Sequence, residues 1–153
     1  MNSLVIMAGG ASSRMKKSLE QTSLDATTKA IAQRVHKSLI PLGVSQKPLL
    51  VHLLENAQAA GYEKIYLITA PENSTFKTVL SAYPSLFSNV NFQVHYAFQY
   101  PPTGHSKPLG TADAILQAMT QYPELEKNAF TLCNGDNLYS KKSLALLLKP
   151  HNA

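Results

Sequence analysis

The sequence predicts an α/β fold in which a Rossmann-like, mostly parallel sheet carries helices on both faces, as a three-layer sandwich. Short apolar runs typical of buried strands alternate along the 153 residues with segments of helical periodicity. A chain of this length suits one sizeable core, so residues 1–153 are expected to form a single domain.

The first strand is predicted at Leu4–Ala8, where the apolar run of "SLVIMAGGASSRM" meets two glycines. The polar stretch from Ser12 to Val35 is expected to be a long loop with one helix after Asp25. Residues 16–36, most of which belong to that stretch, are expected to form an inserted, lid-like segment, because loops of this length in compact domains are often functional.

The next elements carry stronger signals. Apolar periodicity predicts a helix that starts at Pro48 and stops at Gly61, and "KIYLIT" then predicts a strand over Lys64–Thr69. A short helix and a loop are expected between Asn73 and Phe87. A half-exposed strand is predicted from the alternation of Val90, Phe92, Val94 and Tyr96.

The last third begins with the loop "YPPTGHSKPLG". A helix should follow, with Thr111 as its N-cap and with Ile115, Leu116 and Met119 on one face. Ala129–Cys133 is predicted as a strand that runs into "NGDNLYS", and "KKSLALLLK" predicts a final helix.

The positive charge is confined to one part of the chain. Residues 1–47 contain seven basic and two acidic residues, which accounts for the whole net charge of +5. Such an excess favours a polyanionic ligand. Nucleic acid is not expected as the partner, because the aromatic residues that single-strand binders interleave with basic ones are missing there.

Cysteine usage and hydropathy exclude other classes. Cys133 is the only cysteine, so an internal disulfide is impossible and the residue is expected to be a small buried hydrophobe. Apolar runs are too short for a membrane span, and the N-terminus lacks the features of a signal peptide. A cytoplasmic location without membrane partners is therefore expected.

Two loops at predicted carboxyl ends of strands carry the chemistry. In "AGGASSRM", the backbone N–H groups of Gly9 and Gly10 can turn toward phosphate, and Arg14 can add a bidentate cationic fork. In "NGDN", the carboxylate of Asp136 can hold Mg²⁺. An ordinary tight turn with an exposed arginine and a turn aspartate bonded to its own backbone are the alternatives. The glycine spacing is neither that of a dinucleotide fingerprint nor that of a Walker loop.

Four blocks together resemble the sugar-1-phosphate nucleotidyltransferase family: "LVIMAGGASSRM", "HKSLIPLG" with "KPLLVHLLENAQAAGYEKIYLIT", "KPLGTADAILQA" and "CNGDNLYS". The resemblance covers nearly the whole chain, and it implies that residues 1–153 are the nucleotide-binding domain of that fold, cut before the sugar-binding half. It implies transfer of a nucleotidyl group from a nucleoside triphosphate to a sugar 1-phosphate, with release of pyrophosphate and with Mg²⁺ as cofactor.

The resemblance also implies roles for single residues. It places the phosphates on the first loop, at Ala8, Gly9, Gly10, Ser12, Ser13 and Arg14. Lys37 matches the lysine that neutralises charge around the reacting phosphates, and Asp136 matches the metal-binding aspartate. Gly110 and Thr111 match a block that helps to hold the nucleoside.

This sequence departs from the family pattern at four points. Ser12 or Ser13 stands where a third glycine is common, and His36 replaces the proline before the lysine. An insertion separates these two blocks. The glutamine that reads a pyrimidine has no clean counterpart, because Gln99 is far from the GTA block and His105 is nearer by counting. A pyrimidine is therefore only slightly favoured.

Two other functions remain open from the sequence. A molybdenum cofactor nucleotidyltransferase has a similar opening loop. A catalytically incomplete or regulatory nucleotide-binding module would fit a chain that ends soon after Asp136, before the expected sugar-binding half. Self-association into a homo-oligomer is also left open.

Overall fold

The computed structural model describes residues 2–10 and 12–149 of the chain. Its strands are β1 (Ser3–Met7), β2 (Pro41–Leu42), β3 (Lys47–Pro48), β4 (Lys64–Thr69), β5 (Gln93–Phe98) and β6 (Thr131–Asn134). Its α-helices are α1 (Ser13–Ser18), α2 (Ala26–Arg34), α3 (Leu49–Ala60), α4 (Ser74–Ser81), α5 (Thr111–Gln121), α6 (Glu124–Lys127) and α7 (Lys141–Leu147). Short 3₁₀ turns cover Leu19–Gln21, Lys37–Leu39 and Pro84–Phe87.

Four strands form one parallel sheet in the order β5-β4-β1-β6, and β2 and β3 form a separate antiparallel hairpin. In the sheet, Val5 of β1 lies opposite Tyr66 of β4 and Leu132 of β6. Leu4, Val5 and Ile6 are completely buried, as expected for a strand covered on both faces. All carboxyl ends of these strands therefore lie at one edge of the sheet.

Alternate residues of the strands enter two separate cores. Leu4 and Ile6 of β1 pack with residues of α3, α4 and α7 on one face, whereas Val5 packs with Ala114 and Ala118 of α5 and Leu125 of α6 on the other. The predicted α/β fold with helices on both faces is therefore confirmed. Cys133 is buried in the first core, as predicted, and burial raises the pKa of its thiol to about 12.

The segment before Lys37 differs from its prediction. The helix after Asp25 is confirmed as α2, and the Asp25 carboxylate caps it by accepting a hydrogen bond from Thr28 N at 2.9 Å. The expectation of a loop over the rest of Ser12–Val35 is wrong, because α1 and a 3₁₀ turn occupy residues 13–21. Leu19 and Ala32 are the only buried residues among those described from 13 to 34, which explains the weak apolar periodicity.

The helix predicted from Pro48 to Gly61 is confirmed as α3. Leu50, Leu53 and Leu54 are fully buried, and Pro48 precedes the first helical residue. The helix ends where Gly61 adopts a φ of 102°, a left-handed conformation that a side chain would disfavour.

Three predicted details of later elements are wrong. Strand β5 begins at Gln93, and Val90 lies before it with 83% of its surface exposed, because residues 89–92 form a turn closed by Asn89. In α5, Gly110 is the N-cap and Thr111 is the first helical residue. Leu116 is 62% exposed, and the small residues Ala114 and Ala118 bury the helix against the sheet instead.

None of the helices in the described part of the chain combines the length and the apolar character needed to cross a lipid bilayer.

Candidate functional site

A cavity of about 380 Å³ lies at the carboxyl edge of the sheet. Three loops that leave neighbouring parallel strands line it, with Gly9 and Gly10 after β1, Pro71 and Glu72 after β4, and Gln99 and Pro101 after β5. Ligands of open α/β sheets bind beyond this edge of the strands. The cavity is therefore the strongest candidate for a binding site in the described structure.

The glycine loop forms a wall of bare backbone. A Cβ atom added to Gly9 would lie 3.6 Å from Gln99 Oε1 and from the carbonyl carbon of Thr69, and one added to Gly10 would meet nothing within 4 Å. Ala8, which precedes them, also lines the cavity. A ligand can thus approach peptide groups here without meeting side chains.

Ser12 takes the place of the third glycine in conformation as well as in sequence. Its φ of 54° lies in the left-handed region, which favours glycine. The buried Ser12 Oγ accepts a hydrogen bond from Lys37 N at 3.2 Å and so ties the first loop to the Lys37 turn. The side chains of Ser13 and Arg14 fall outside the described part of the structure, so their phosphate contacts stay predictions.

His36, which replaces the family's proline, braces the glycine loop. Its Nδ1 accepts a hydrogen bond from Ser38 N at 3.2 Å, so the proton of the neutral ring lies on Nε2, which donates to the Gly10 carbonyl. The ring also packs at 5.2 Å from the ring of Phe76. Burial lowers the pKa of His36 below its usual value and so favours this neutral form.

Next to His36, Lys37 and Asp136 form an ion pair between Lys37 Nζ and Asp136 Oδ2. The two side chains are 33% and 31% exposed, so the pair lies at the surface of the edge. The hydrogen bond from Lys37 holds the pKa of Asp136 below its usual range. The structure thus brings together the two residues that the sequence predicts as catalytic charges of opposite sign.

Gly135 fixes where Asp136 stands. Its N–H donates to Met7 O at 2.9 Å, and a Cβ atom there would lie 3.0 Å from the same carbonyl oxygen and 3.2 Å from Ser38 Oγ. The loop after β6 therefore packs directly on the end of β1. A side chain at this position would force these neighbours to shift by a few tenths of an ångström.

Asp136 fits Mg²⁺ in one limited way. The described residues contain no group of three or more histidine, cysteine, aspartate or glutamate side chains that could hold a metal. Mg²⁺ is commonly bound by one or two carboxylates together with substrate phosphates, so the single carboxylate of Asp136 is compatible with such a site.

Next to Gly9 in the cavity wall, the amide of the buried Gln99 is held by two acceptors. Gln99 Nε2 donates to Gly110 O at 2.9 Å and to Asp113 Oδ2 at 2.8 Å. Gly110 adopts a φ of 120°, which a side chain would disfavour and which turns its carbonyl toward the amide. These bonds place Gln99 beside the block that includes Gly110 despite the intervening loop.

Several predicted site residues lie outside the set that lines the cavity: Ser12, Lys37, His105, Gly110, Thr111 and Asp136. His105 belongs to a turn in which its N–H donates to Pro102 O at 2.9 Å, and Thr111 is exposed at the start of α5. Of the two candidates for reading the base, the structure places Gln99 in the cavity. Counting along the sequence missed this, because the loop that separates Gln99 from Gly110 runs along the cavity, where Pro101, Ser106 and Pro108 line it, and then returns Gly110 to Gln99.

Sequence reasoning missed other residues of the cavity wall: Arg34, Glu72, Thr75 and Phe76. Arg34 is the last residue of α2, in the segment that holds the excess of positive charge. That excess was a usable signal for Arg34. Phe76 carries no comparable signal, because it also belongs to the buried core.

A family model described as "Nucleotidyl transferase" matches residues 3–153. Among curated proteins, the chain is 27% identical over 147 residues to the bifunctional protein GlmU of Geobacillus thermodenitrificans, and the match covers 96% of this chain and 25% of that protein.

Solved structures share the fold. A nucleotidyl transferase from Methanothermobacter superposes with a TM-score of 0.62 at 18% identity, over 95% of this chain and 56% of the other. HddC from Yersinia pseudotuberculosis gives a TM-score of 0.57 at 25% identity, over 97% and 55%. A structure of HddC complexed with GMP-PN gives 0.55 at 24% identity, over 97% and 55%. The chain therefore spans a quarter of the curated relative and just over half of each solved chain.

Proposed function

The chain belongs to the nucleotidyl transferase family, and on that premise we propose that it transfers a nucleotidyl group from a nucleoside triphosphate to a sugar 1-phosphate. The observation that carries the proposal is the cavity whose wall contains the bare backbone of Gly9 and Gly10 and, next to Gly9, the buried amide of Gln99. Such a cavity suits a base with its sugar, and the adjoining Lys37 and Asp136 suit its phosphates.

The structure of HddC with GMP-PN supports the choice of a nucleotide, since that protein has the same fold over almost all of this chain. The sugar 1-phosphate rests on the resemblance of the four sequence blocks. A pyrimidine base rests on the glutamine alone. These three parts of the proposal therefore stand on separate observations and need separate tests.

In the proposed reaction, an oxygen of the sugar phosphate attacks the α-phosphorus in line, and pyrophosphate leaves. Two anions must approach each other, so positioning and neutralisation of charge supply the catalysis, and no protein nucleophile is needed. Lys37 would neutralise the reacting phosphates, and Arg14 would hold the leaving pyrophosphate.

Asp136 would hold the metal. Mg²⁺, when bound, supplies positive charge to phosphate oxygens. Because Asp136 pairs with Lys37 in this structure, the two side chains must exchange partners when ligands arrive. The ammonium of Lys37 would turn to phosphate, and the Asp136 carboxylate would become free for the cation.

Thermal unfolding of the chain with each of the four nucleoside triphosphates, with and without Mg²⁺, tests binding. A triphosphate at about one hundred times its Kd should add ~2.7 kcal/mol to the free energy of unfolding. Inorganic triphosphate serves as the control for phosphate binding alone. The absence of a shift with any nucleotide, or an equal shift with inorganic triphosphate, would contradict the proposal.

Release of pyrophosphate with a panel of sugar 1-phosphates tests the transfer itself. The expected result is release that requires the triphosphate, Mg²⁺ and one class of sugar phosphate together. Nucleotide binding without release by any sugar phosphate would instead support the incomplete or regulatory module.

A further inference from the structure

Asp113 organises a hydrogen-bond network behind the cavity. Its Oδ2 accepts from Gln99 Nε2 at 2.8 Å and from Gln117 Nε2 at 3.0 Å. Gln117 in turn is hydrogen-bonded to both backbone groups of Tyr100. Its Oε1 accepts from Tyr100 N at 2.9 Å, and its Nε2 donates to Tyr100 O at 3.0 Å. Gln117 therefore has a fixed amide orientation, and Asp113 receives N–H donors from both sides.

The network also fixes the orientation of the Gln99 amide. A carboxylate oxygen and a peptide carbonyl can only accept, so both partners of Gln99 Nε2 require the NH₂ group to point away from the cavity. The Oε1 atom then lies on the side of Gly9, and among the described residues it accepts no hydrogen bond. A ligand in the cavity meets an acceptor at Gln99 and never a donor.

We propose that Asp113 is a positioning residue that makes Gln99 select bases with an N–H on the ring edge, namely uracil, thymine and guanine, over cytosine and adenine. This inference rests on the proposed function, because it needs a nucleotide in the cavity. UTP and CTP differ at N3, which carries a proton in uracil and a lone pair in cytosine. An acceptor fixed opposite N3 binds the first and leaves two acceptors facing each other in the second.

The expected preference follows from the cost of an unpaired polar group. A buried acceptor without its donor costs about 1–3 kcal/mol, so UTP should bind roughly 10- to 100-fold more tightly than CTP. GTP should be preferred to ATP for the same reason, because guanine carries a ring N–H and adenine does not. Asp113 contributes by preventing the amide from rotating to offer its NH₂ group to cytosine N3.

The test is calorimetric titration of Mg·UTP and Mg·CTP into the wild-type chain and three variants. Asp113→Ala removes one of the two acceptors of Gln99 Nε2. It should lower the ratio of UTP affinity to CTP affinity by about fivefold or more, chiefly because CTP binds more tightly. Asp113→Asn should keep a ratio near that of the wild type, because one amide oxygen can replace the single carboxylate oxygen that accepts from both glutamines.

Gln121→Ala is the matched control. Gln121 bonds both backbone groups of Phe98 as Gln117 bonds those of Tyr100, but no hydrogen bond joins it to Gln99 or Asp113. Its loss should loosen the same strand edge and leave the UTP to CTP ratio unchanged. A melting curve of each variant shows that the compared proteins are folded.

Three results would overturn the inference: equal affinity of the wild-type chain for UTP and CTP, an equal change of both affinities in Asp113→Ala, or an Asp113→Asn variant that behaves like Asp113→Ala. If no triphosphate binds to the wild-type chain, the proposed function itself has failed, and the inference fails with it. If UTP binds but is not preferred to CTP, the inference fails while the proposed function stands.

Discussion

The two sides of the candidate site are built on different physical principles. On the side of Gln99, the amide of a side chain only 8% exposed is bonded to two partners that leave it one orientation. On the side of Lys37 and Asp136, the charges are a third exposed and are bonded to each other. The first side is organised before a ligand arrives, whereas the second must change its partners. Recognition and catalysis are thus expected to respond differently to mutation and to metal.

The largest effect is expected from Asp136→Asn, which removes charge from the second side and keeps its shape. Loss of a group that only supports a metal ligand costs about 10- to 100-fold in metal affinity, so loss of the ligand should lower the Mg²⁺-dependent part of nucleotide affinity by about 100-fold. The melting temperature should change little, because exposed ion pairs contribute only ~0–1 kcal/mol. Titrations with and without Mg²⁺ measure the first effect. Retained Mg²⁺ dependence would remove Asp136 from the metal site.

A pair of glycine substitutions contrasts packing with ligand access. Gly135→Ala should destabilise the fold by about 1–3 kcal/mol, because its Cβ would crowd the Met7 carbonyl oxygen at 3.0 Å. Gly10→Ala has open space and should leave the free energy of unfolding unchanged while weakening nucleotide binding. Denaturant unfolding and nucleotide titration of both variants separate the two effects. Unchanged nucleotide affinity in Gly10→Ala would place the ligand away from this loop.

A smaller effect is expected from substitution of His36, whose ring is hydrogen-bonded to Gly10 O and to Ser38 N. Burial lowers its pKa from 6.5, so the unfolded chain takes up the proton at a higher pH than the folded chain. The contribution of His36 to stability is therefore present above pH 6.5 and decreases as the pH falls toward its lower folded pKa. His36→Gln should flatten this acid-side decline in melting temperature.

His95→Gln is the control for the His36 variant, because burial lowers the pKa of His95 as well and this residue lies on the other face of the sheet, against Tyr66 and Tyr122. Both variants should flatten the stability profile in part. Only His36→Gln should also change the pH dependence of nucleotide binding. If His95→Gln changed the pH dependence of nucleotide binding in the same way, the effect of His36→Gln could not be assigned to its contact with the glycine loop.

The smallest effect is expected in the inserted segment, residues 16–36. Few of its described side chains are buried, so it should open locally at low cost and be cut by trypsin at Lys16, Lys17, Lys29 and Arg34. Because Arg34 lines the cavity, a bound nucleotide should slow cleavage at that residue most. Equal rates with and without nucleotide would show that the segment is not a lid.

The parts of the fold that could be predicted are those whose signals are local. Pro48, Gly61 and the buried leucines between them mark α3 without reference to the rest of the chain, and strand and helix alternation gives the parallel sheet. For helix α2, the only signal in the sequence is its N-cap residue, Asp25. Val90 follows the alternation of a strand, but the turn at Asn89 excludes it.

The site was predictable where a residue type is chemically unusual for its position. Asp136 and the glycine pair stand out after strands, and Lys37 matches a family block. Gln99 could not be placed, because its contact with Gly110 depends on how the intervening loop folds. The pairing of Lys37 with Asp136 also joins residues far apart in the sequence, and no local pattern encodes it.

The most direct test of the contrast between the two sides is a titration of the ¹⁵N-labelled chain, observed by the backbone amide resonances in NMR spectra. Addition of UTP without metal should shift the amides of Gly9, Gly10, Gln99 and Gly110, because that side is already organised. Subsequent addition of Mg²⁺ should shift Lys37 and Asp136, because their ion pair then exchanges partners. Shifts of all six amides in the first step, or none at Gly9, Gly10, Gln99 and Gly110 in either step, would contradict this account.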